Sequence, residues 1–221
     1  MSEKTPKKRV LKRENLMRYI SIVSIVVLAI VFNAIQANFL GKMNIASMLR
    51  DNAALLVMGV GMTSVLIFGS TDLSMGAMCS VSNVLYVRII LIFAERYKAE
   101  GVENPNVVGV MLLAIAACLV VGMISGFLLG VIHVKLKVPS FIASLGFMSV
   151  WTSVAYLVSN KAESIPRMMK EASDWYKIAF FNGTVPLPLL IALVLAILFY
   201  LLQSRTVFGR TIFSIGGNER S

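Results

Sequence analysis

Long apolar runs alternate with short polar breaks along most of the chain. The runs cover residues 19–40, 53–69, 75–94, 107–133, 140–158 and 185–203. A helix rises about 1.5 Å per residue, so roughly 20 apolar residues cross a hydrocarbon core of about 30 Å. Hydrocarbon offers backbone N–H and C=O groups no partner outside the helix, so each run is read as a membrane-spanning helix. The breaks at 41–52, 70–74, 95–106, 134–139 and 159–184 are expected to be connections, and Gly, Pro and Asn gather at several of them, as helix ends require. The pattern predicts an all-α polytopic membrane protein of about six spans, with both termini on one side of the lipid bilayer. The first run follows a charged start, as a signal peptide would. It is longer than such an apolar region and lacks a clean small-x-small cleavage site, so it is read as a retained anchor.

Composition supports the same class. Of 221 residues, 57% are apolar and 14% charged, with mean hydropathy +0.81, against about 45–50% apolar and about 25% charged in soluble domains. That excludes a disordered chain, a disulfide-stapled secreted module and a collagen-like fibre. The charge itself is lopsided: 21 Lys and Arg against 11 Asp and Glu give +10. Much of the excess sits in residues 1–18, where Lys4, Lys7, Lys8, Arg9, Lys12, Arg13 and Arg18 face only Glu3 and Glu14. Bases also mark 134–139 (Lys135, Lys137) and the last segment (Arg205, Arg210 and Arg220 against Glu219), whereas 95–106 carries Arg96 and Lys98 against Glu95, Glu100 and Glu103. Bases beside spans mark the inner face, which orients the chain with both ends inside. Nucleic acid is disfavoured as a partner, because no aromatic residue for base stacking precedes Tyr19. Three regions result: a basic tail (1–18), a membrane region (19–203) and an inner C-terminal segment (204–221).

Chemistry inside this frame is sparse. Asp72 lies in Phe68-Gly-Ser-Thr-Asp-Leu-Ser-Met-Gly76, a polar break between two spans. An acid at membrane depth normally faces protein or water, so Thr71, Asp72 and Ser74 are candidates for a translocation path. An equally weighted reading has Asp72 capping the next helix from an ordinary turn. Trp151, mid-span, can stack on a sugar ring, but filling space is the better account. Gly122, Gly126 and Gly130 recur every four residues and mark a helix-packing groove. Arg88 is close enough to its span's outer end to snorkel. His133, at an inner helix end beside Lys135, is read as interfacial. Cys79 and Cys118 have no CxxC spacing and are read as buried thiols. No phosphate loop, HExxH or GxSxG is present, and Asp72 and His133 lack the second group that intramembrane catalysis needs. No metal or cofactor is expected. Asn182-Gly183-Thr184 matches a glycosylation acceptor, a pattern frequent by chance.

Three inner segments occur in order: Gly69-Ser-Thr-Asp-Leu-Ser-Met-Gly76, Lys135-Leu-Lys-Val-Pro-Ser-Phe-Ile-Ala-Ser-Leu-Gly146 and Phe208-Gly-Arg-Thr-Ile-Phe-Ser-Ile-Gly-Gly-Asn-Glu219. Together they resemble the permease subunits of bacterial ABC importers for monosaccharides, of the ribose and galactoside type. The resemblance implies a subunit of the bacterial inner membrane that is not itself an enzyme. It implies a second permease subunit, a periplasmic sugar-binding protein at the outer face, and separate ABC ATPase subunits at the inner face. It implies ATPase docking at Phe208, Gly209, Arg210, Gly216, Gly217, Asn218 and Glu219, with the glycines forming a tight turn. Asn83, Thr152 and Ser153 join Trp151 as path-lining groups. Members of the family continue past this motif with further helices. The expectation is therefore a truncated gene product, a permease completed by a second polypeptide, or a non-transporting remnant or scaffold.

Overall fold

The computed structural model describes residues 7–159 and 164–217, with side chains from residue 19 onward. Its elements are α1 (Lys7–Ile35), α2 (Lys42–Ile67), α3 (Met75–Ala99), α4 (Val107–Lys135), α5 (Ser140–Val158), α6 (Glu171–Asp174), β1 (Ala179–Phe180), β2 (Val185–Pro186), α7 (Leu187–Arg205) and α8 (Val207–Gly217). Single 3₁₀ turns flank α6, at Arg167–Met169 and Trp175–Lys177. Among the described residues, α2, α3, α4, α5 and α7 are long and apolar enough to cross a membrane, while the apolar part of α1 is the shorter Tyr19–Ile35. The chain is an all-α polytopic membrane protein.

Two expected boundaries move. Residues 36–40 leave the first apolar run: Leu40 N–H donates to Asn33 Oδ1 at 3.1 Å, and Phe39 stacks on Phe32 with ring centroids 5.4 Å apart. In return α2 begins at Lys42 rather than near residue 53, so most of the expected 41–52 connection is helical. Polar Asn44, Arg50, Asp51 and Asn52 hid that helix from a hydropathy reading, because helix geometry does not require apolar side chains where water or protein meets them.

The helices form two groups. In one, α3 packs on α5 and α4; in the other, α2 packs on α7, and α8 folds back against both. Buried positions are dominated by small residues, among them Ala46, Ala53, Ala77, Ala114, Ala143, Ala155, Ala192 and Ser144. Lipid tails are as apolar as leucine, so membrane helices gain little by burying large side chains and associate through close backbone approach instead. Large apolar residues accordingly point outward along α1, α4 and α7.

The two groups are joined at one end of the bundle by residues 164–186. Met169 and Ala172 are fully buried against Ile90 and Ala94 of α3 and Val107 and Val110 of α4. β1 and β2 form a small antiparallel hairpin, pairing Ala179 with Pro186. Its turn places Phe181, Asn182 and Gly183 at positive φ, the conformation that Asn-Gly favours in hairpins.

α4 is started by a side-chain cap. Asn106 Oδ1 accepts from Gly109 N–H at 2.9 Å, satisfying one of the four free N–H groups at the helix start. Asn106→Ala should destabilise the outer end by about 1 kcal/mol and Asn106→Asp by much less. The check is thermal unfolding of both variants in the same detergent. Equal losses would mean that the cap contributes nothing.

Candidate functional site

Between the two helix groups lies a cleft of about 1040 Å³. Val57, Met58 and Gly61 of α2 form one wall. Met75, Ser82, Asn83, Tyr86 and Val87 of α3, with Cys118, Leu119 and Gly122 of α4, form the other. Ile165, Ala172, Ser173, Trp175 and Tyr176 roof one end of it. From Met75 to Val87 the α3 wall runs for about 18 Å at helical rise, more than half the thickness of a hydrocarbon core. The wall is mostly apolar. Its polar groups cluster toward the roof, where Asn83 offers both a donor and an acceptor.

The roof is tied down from below. Tyr86 Oη donates to Ala172 O at 2.8 Å. Within the roof, Lys177 Nζ lies 2.7 Å from Asp174 Oδ1 and Lys170 Nζ 3.5 Å from Asp174 Oδ2. The hydrogen bond from Lys177 holds the Asp174 carboxyl below the usual carboxylate range, and Asp174 raises Lys177 in turn. Two cations lie near the Tyr176 ring: Arg50 Cζ is 5.8 Å from its centroid and Lys177 Nζ 5.7 Å. Residues 159–184 carried no clear message as sequence, because their charges are mixed. The aromatic pair Trp175-Tyr176 beside a membrane span, and the Asn182-Gly183 hairpin signal, were the legible hints. Arg50 was hidden inside the expected 41–52 connection.

Of the sequence-derived path residues, Thr71, Asp72, Ser74 and Trp151 do not line this cleft. Asp72 Oδ1 accepts from Ser74 N–H at 2.8 Å and from Ser74 Oγ at 2.6 Å. This turn launches α3, so the carboxylate organises a helix start, close to the capping alternative. Thr71 N–H donates to Ser140 Oγ at 3.2 Å, tying the turn to the first residue of α5. The cleft wall begins one residue beyond Ser74, at Met75. Trp151 faces a separate apolar cavity of about 180 Å³ lined by Val81, Leu85 and Val121 among others. It packs on Phe147 with centroids 6.4 Å apart, and no described group pairs with its buried Nε1. Thr152 and Ser153 hydroxyls donate back to Met148 O and Ser149 O of their own helix. Of the path-lining groups named from sequence, Asn83 is on the cleft.

Other side chains close helix ends. The Arg88 guanidinium donates to Val158 O from Nε at 3.1 Å and from Nη2 at 2.7 Å. A cation there meets the C-terminal carbonyls of α5. His133 Nδ1 lies 2.8 Å from Val138 O across the turn between α4 and α5. Cys79 and Cys118 are free thiols, and Cys79 is exposed rather than buried.

At the opposite end of the bundle, the glycines of the C-terminal segment serve a purpose other than the expected turn. Gly216 and Gly217 are helical, the last residues of α8. A Cβ on Gly216 would strike the carbonyl of Ile67 at the end of α2, and one on Gly209 would strike the backbone of Gln203. Close approach, not a turn, is what demands glycine at those two positions. Gln203 Nε2 donates to Ser64 Oγ at 2.6 Å and fastens α7 to α2 beside them. Phe208 and Arg210 are exposed on α8. Asn218 and Glu219 lie outside the described residues. A Cβ on Gly122, Gly126 or Gly130 would meet nothing within 4 Å, so no neighbouring helix among the described residues fills that groove.

Comparison with known proteins is decisive at this point. The family model described as "Branched-chain amino acid transport system / permease component" matches residues 44–221. The chain belongs to this permease family. The ribose import permease protein RbsC of Escherichia coli K12 is 28% identical over 206 residues, covering 92% of this chain and 59% of that relative. The inner membrane ABC transporter permease protein YjfF of the same strain is 32% identical, covering 80% of this chain and 50% of the relative. The fructose import permease protein FruG of Bifidobacterium longum is 26% identical, covering 99% of this chain and 62% of the relative. The permease chain thus spans between half and about three-fifths of these relatives. No solved structure matches it. The resemblance to sugar-import permeases read from the three inner segments is borne out.

Two tests address the roof. Tyr86→Phe removes one hydrogen bond, worth about 0.5–1.5 kcal/mol, and should speed amide exchange of residues 165–177 severalfold in lipid nanodiscs while leaving α5 unchanged. The depressed Asp174 carboxyl implies a contribution to folding that is complete above the unfolded value near pH 4. It is lost as pH falls through the lower folded value, so roof exchange should stay slow at pH 6 and quicken below about pH 4. Asp174→Asn should remove that acid dependence. An unchanged profile would detach the ion pairs from roof stability.

Proposed function

We propose that this permease chain is membrane-spanning machinery of an ABC importer that carries a monosaccharide of the ribose or galactose class across the bacterial inner membrane. Both termini are cytoplasmic in this reading. The observation that carries it is the cleft between two helix groups, roofed at one end, with α8 packed on the end of the α2 helix that forms one of its walls. Alternating access needs two bodies that can move against each other around a cavity, and α2–α7 and α3–α4–α5 are such a pair. The membership of the permease family and the sugar-import names of its relatives support the substrate class.

In this scheme a periplasmic sugar-binding protein delivers substrate to the roof, and separate ATPase subunits supply the energy from the inner face. The segment 208–219 is the ATPase contact. Phe208 and Arg210 are its anchors on α8, and Asn218 and Glu219 extend it. Because Gly216 abuts the end of α2 and Gln203 is fastened to Ser64, a push on α8 is passed to α2, which is one wall of the cleft. A second permease subunit completes the pathway, and the open Gly122, Gly126 and Gly130 face of α4 is a surface where another helix can pack. Thr71, Asp72 and Ser74 set the inner limit of the cleft.

Co-expression with the cognate ATPase tests the reading. Arg210→Glu should lower co-purified ATPase about tenfold, the loss of about 1.4 kcal/mol of contact, while the chain still enters the membrane. Reconstituted with ATPase and binding protein, the wild type should show sugar-stimulated ATP hydrolysis. Undiminished association after Arg210→Glu, or hydrolysis indifferent to sugar, would refute the assignment.

A further inference from the structure

Beside the main cleft is a smaller vestibule of about 400 Å³, between the outer part of α2, the start of α7 and the roof. Val57, Trp175 and Tyr176 border both cavities, so the aromatic pair is a partition between them. Ligand pockets of small molecules span about 300–1,000 Å³, and the vestibule falls within that range. Arg50 and Asp51 also line it.

The Arg50 Nε–H is buried and has no hydrogen-bond partner among the described residues. Its guanidinium carbon lies 5.8 Å from the Tyr176 ring centroid, a cation–π contact that gives the Nε–H no acceptor lone pair. A buried donor without an acceptor is disfavoured unless a ligand or water completes it. Asp51 adds a carboxylate acceptor to the same lining. Consecutive helix residues do not face one another, so the two charges present themselves to a third party side by side. Together they neutralise the pocket. An anion would meet the Asp51 carboxylate and a cation would meet Arg50, whereas a neutral ligand with adjacent hydroxyls can donate to one and accept from the other.

We propose that this vestibule is an outer subsite for an uncharged monosaccharide, which hydrogen-bonds to Arg50 and Asp51 and lays its C–H face on Trp175 or Tyr176. The inference rests on the sugar-importer reading and adds a location and a charge class to it. Sugar held there is one aromatic layer away from the main cleft, so displacement of Trp175 and Tyr176 admits it.

The chain has two tryptophans, and Trp151 faces another cavity. In a Trp151→Phe background Trp175 becomes the single fluorescent reporter of the vestibule. The full chain in nanodiscs is titrated with D-ribose, D-fructose, D-galactose and, as an anionic comparator, D-gluconate. At least one neutral sugar should change Trp175 emission saturably, and D-gluconate should act more weakly. Arg50→Gln and Asp51→Asn should each raise half-saturation about tenfold, equivalent to about 1.4 kcal/mol. Arg50→Lys, which keeps the charge but loses the fork of donors, should raise it as well. No response to any neutral sugar, a stronger response to D-gluconate, or half-saturation unchanged in folded variants would overturn the subsite. ATPase association separates the two levels. If it is retained without a sugar response, the subsite falls and the importer reading stands; a sugar response without ATPase association does the opposite.

Discussion

The end of α3 and the start of α4 pack on a small apolar knot, and the roof of the cleft depends on it. Met169 and Ala172, from a segment that is otherwise polar, are sealed between Ile90, Ala94, Val107 and Val110. For a segment otherwise in contact with water, burying a methionine carries a hydrophobic gain of about 1.5–3 kcal/mol. Deeper in the bilayer the same burial would gain little, because lipid is already apolar. The knot therefore holds the roof where packing between spans alone could not. With the roof fixed, Trp175 and Tyr176 are carried over the gap between α2 and α3, and an open groove becomes a covered cleft.

The opposite end is held by a different kind of contact. There, polar and backbone groups meet at short range: Gln203 with Ser64, Thr71 with Ser140, and Gly216 against the carbonyl of Ile67. Glycine at 209 and 216 removes the side chains that would keep α8 away. The roofed end is thus joined by an apolar plug and the opposite end by close backbone packing.

Large apolar residues remain exposed along α1, α4 and α7. In a soluble protein this would mark an aggregation-prone surface or an interface. In a membrane it is an ordinary lipid-facing surface, and the core of small residues is its counterpart.

Hydropathy and charge, read from the sequence alone, determined the class of the molecule, the approximate position of five long helices and the three inner segments that identify the family. Those features depend on local composition, because a helix in hydrocarbon satisfies its own backbone and needs only apolar side chains. The start of α2 was missed for the complementary reason: a helix leaving the hydrocarbon need not be apolar. The candidate site was much less legible. Asp72 drew attention as an acid beside a span, yet its partner is Ser74 two residues away, a local turn that no composition argument separates from a path residue. Arg50 and Tyr176 are 126 positions apart by numbering, and the packing of the roof, through the knot at Met169 and the Tyr86–Ala172 hydrogen bond, brings them together. The roof's position, the partition between two cavities and the Gly216 contact with Ile67 are long-range packing outcomes. Tertiary structure alone decided them, because each depends on which distant surfaces fit together and not on what any segment prefers by itself.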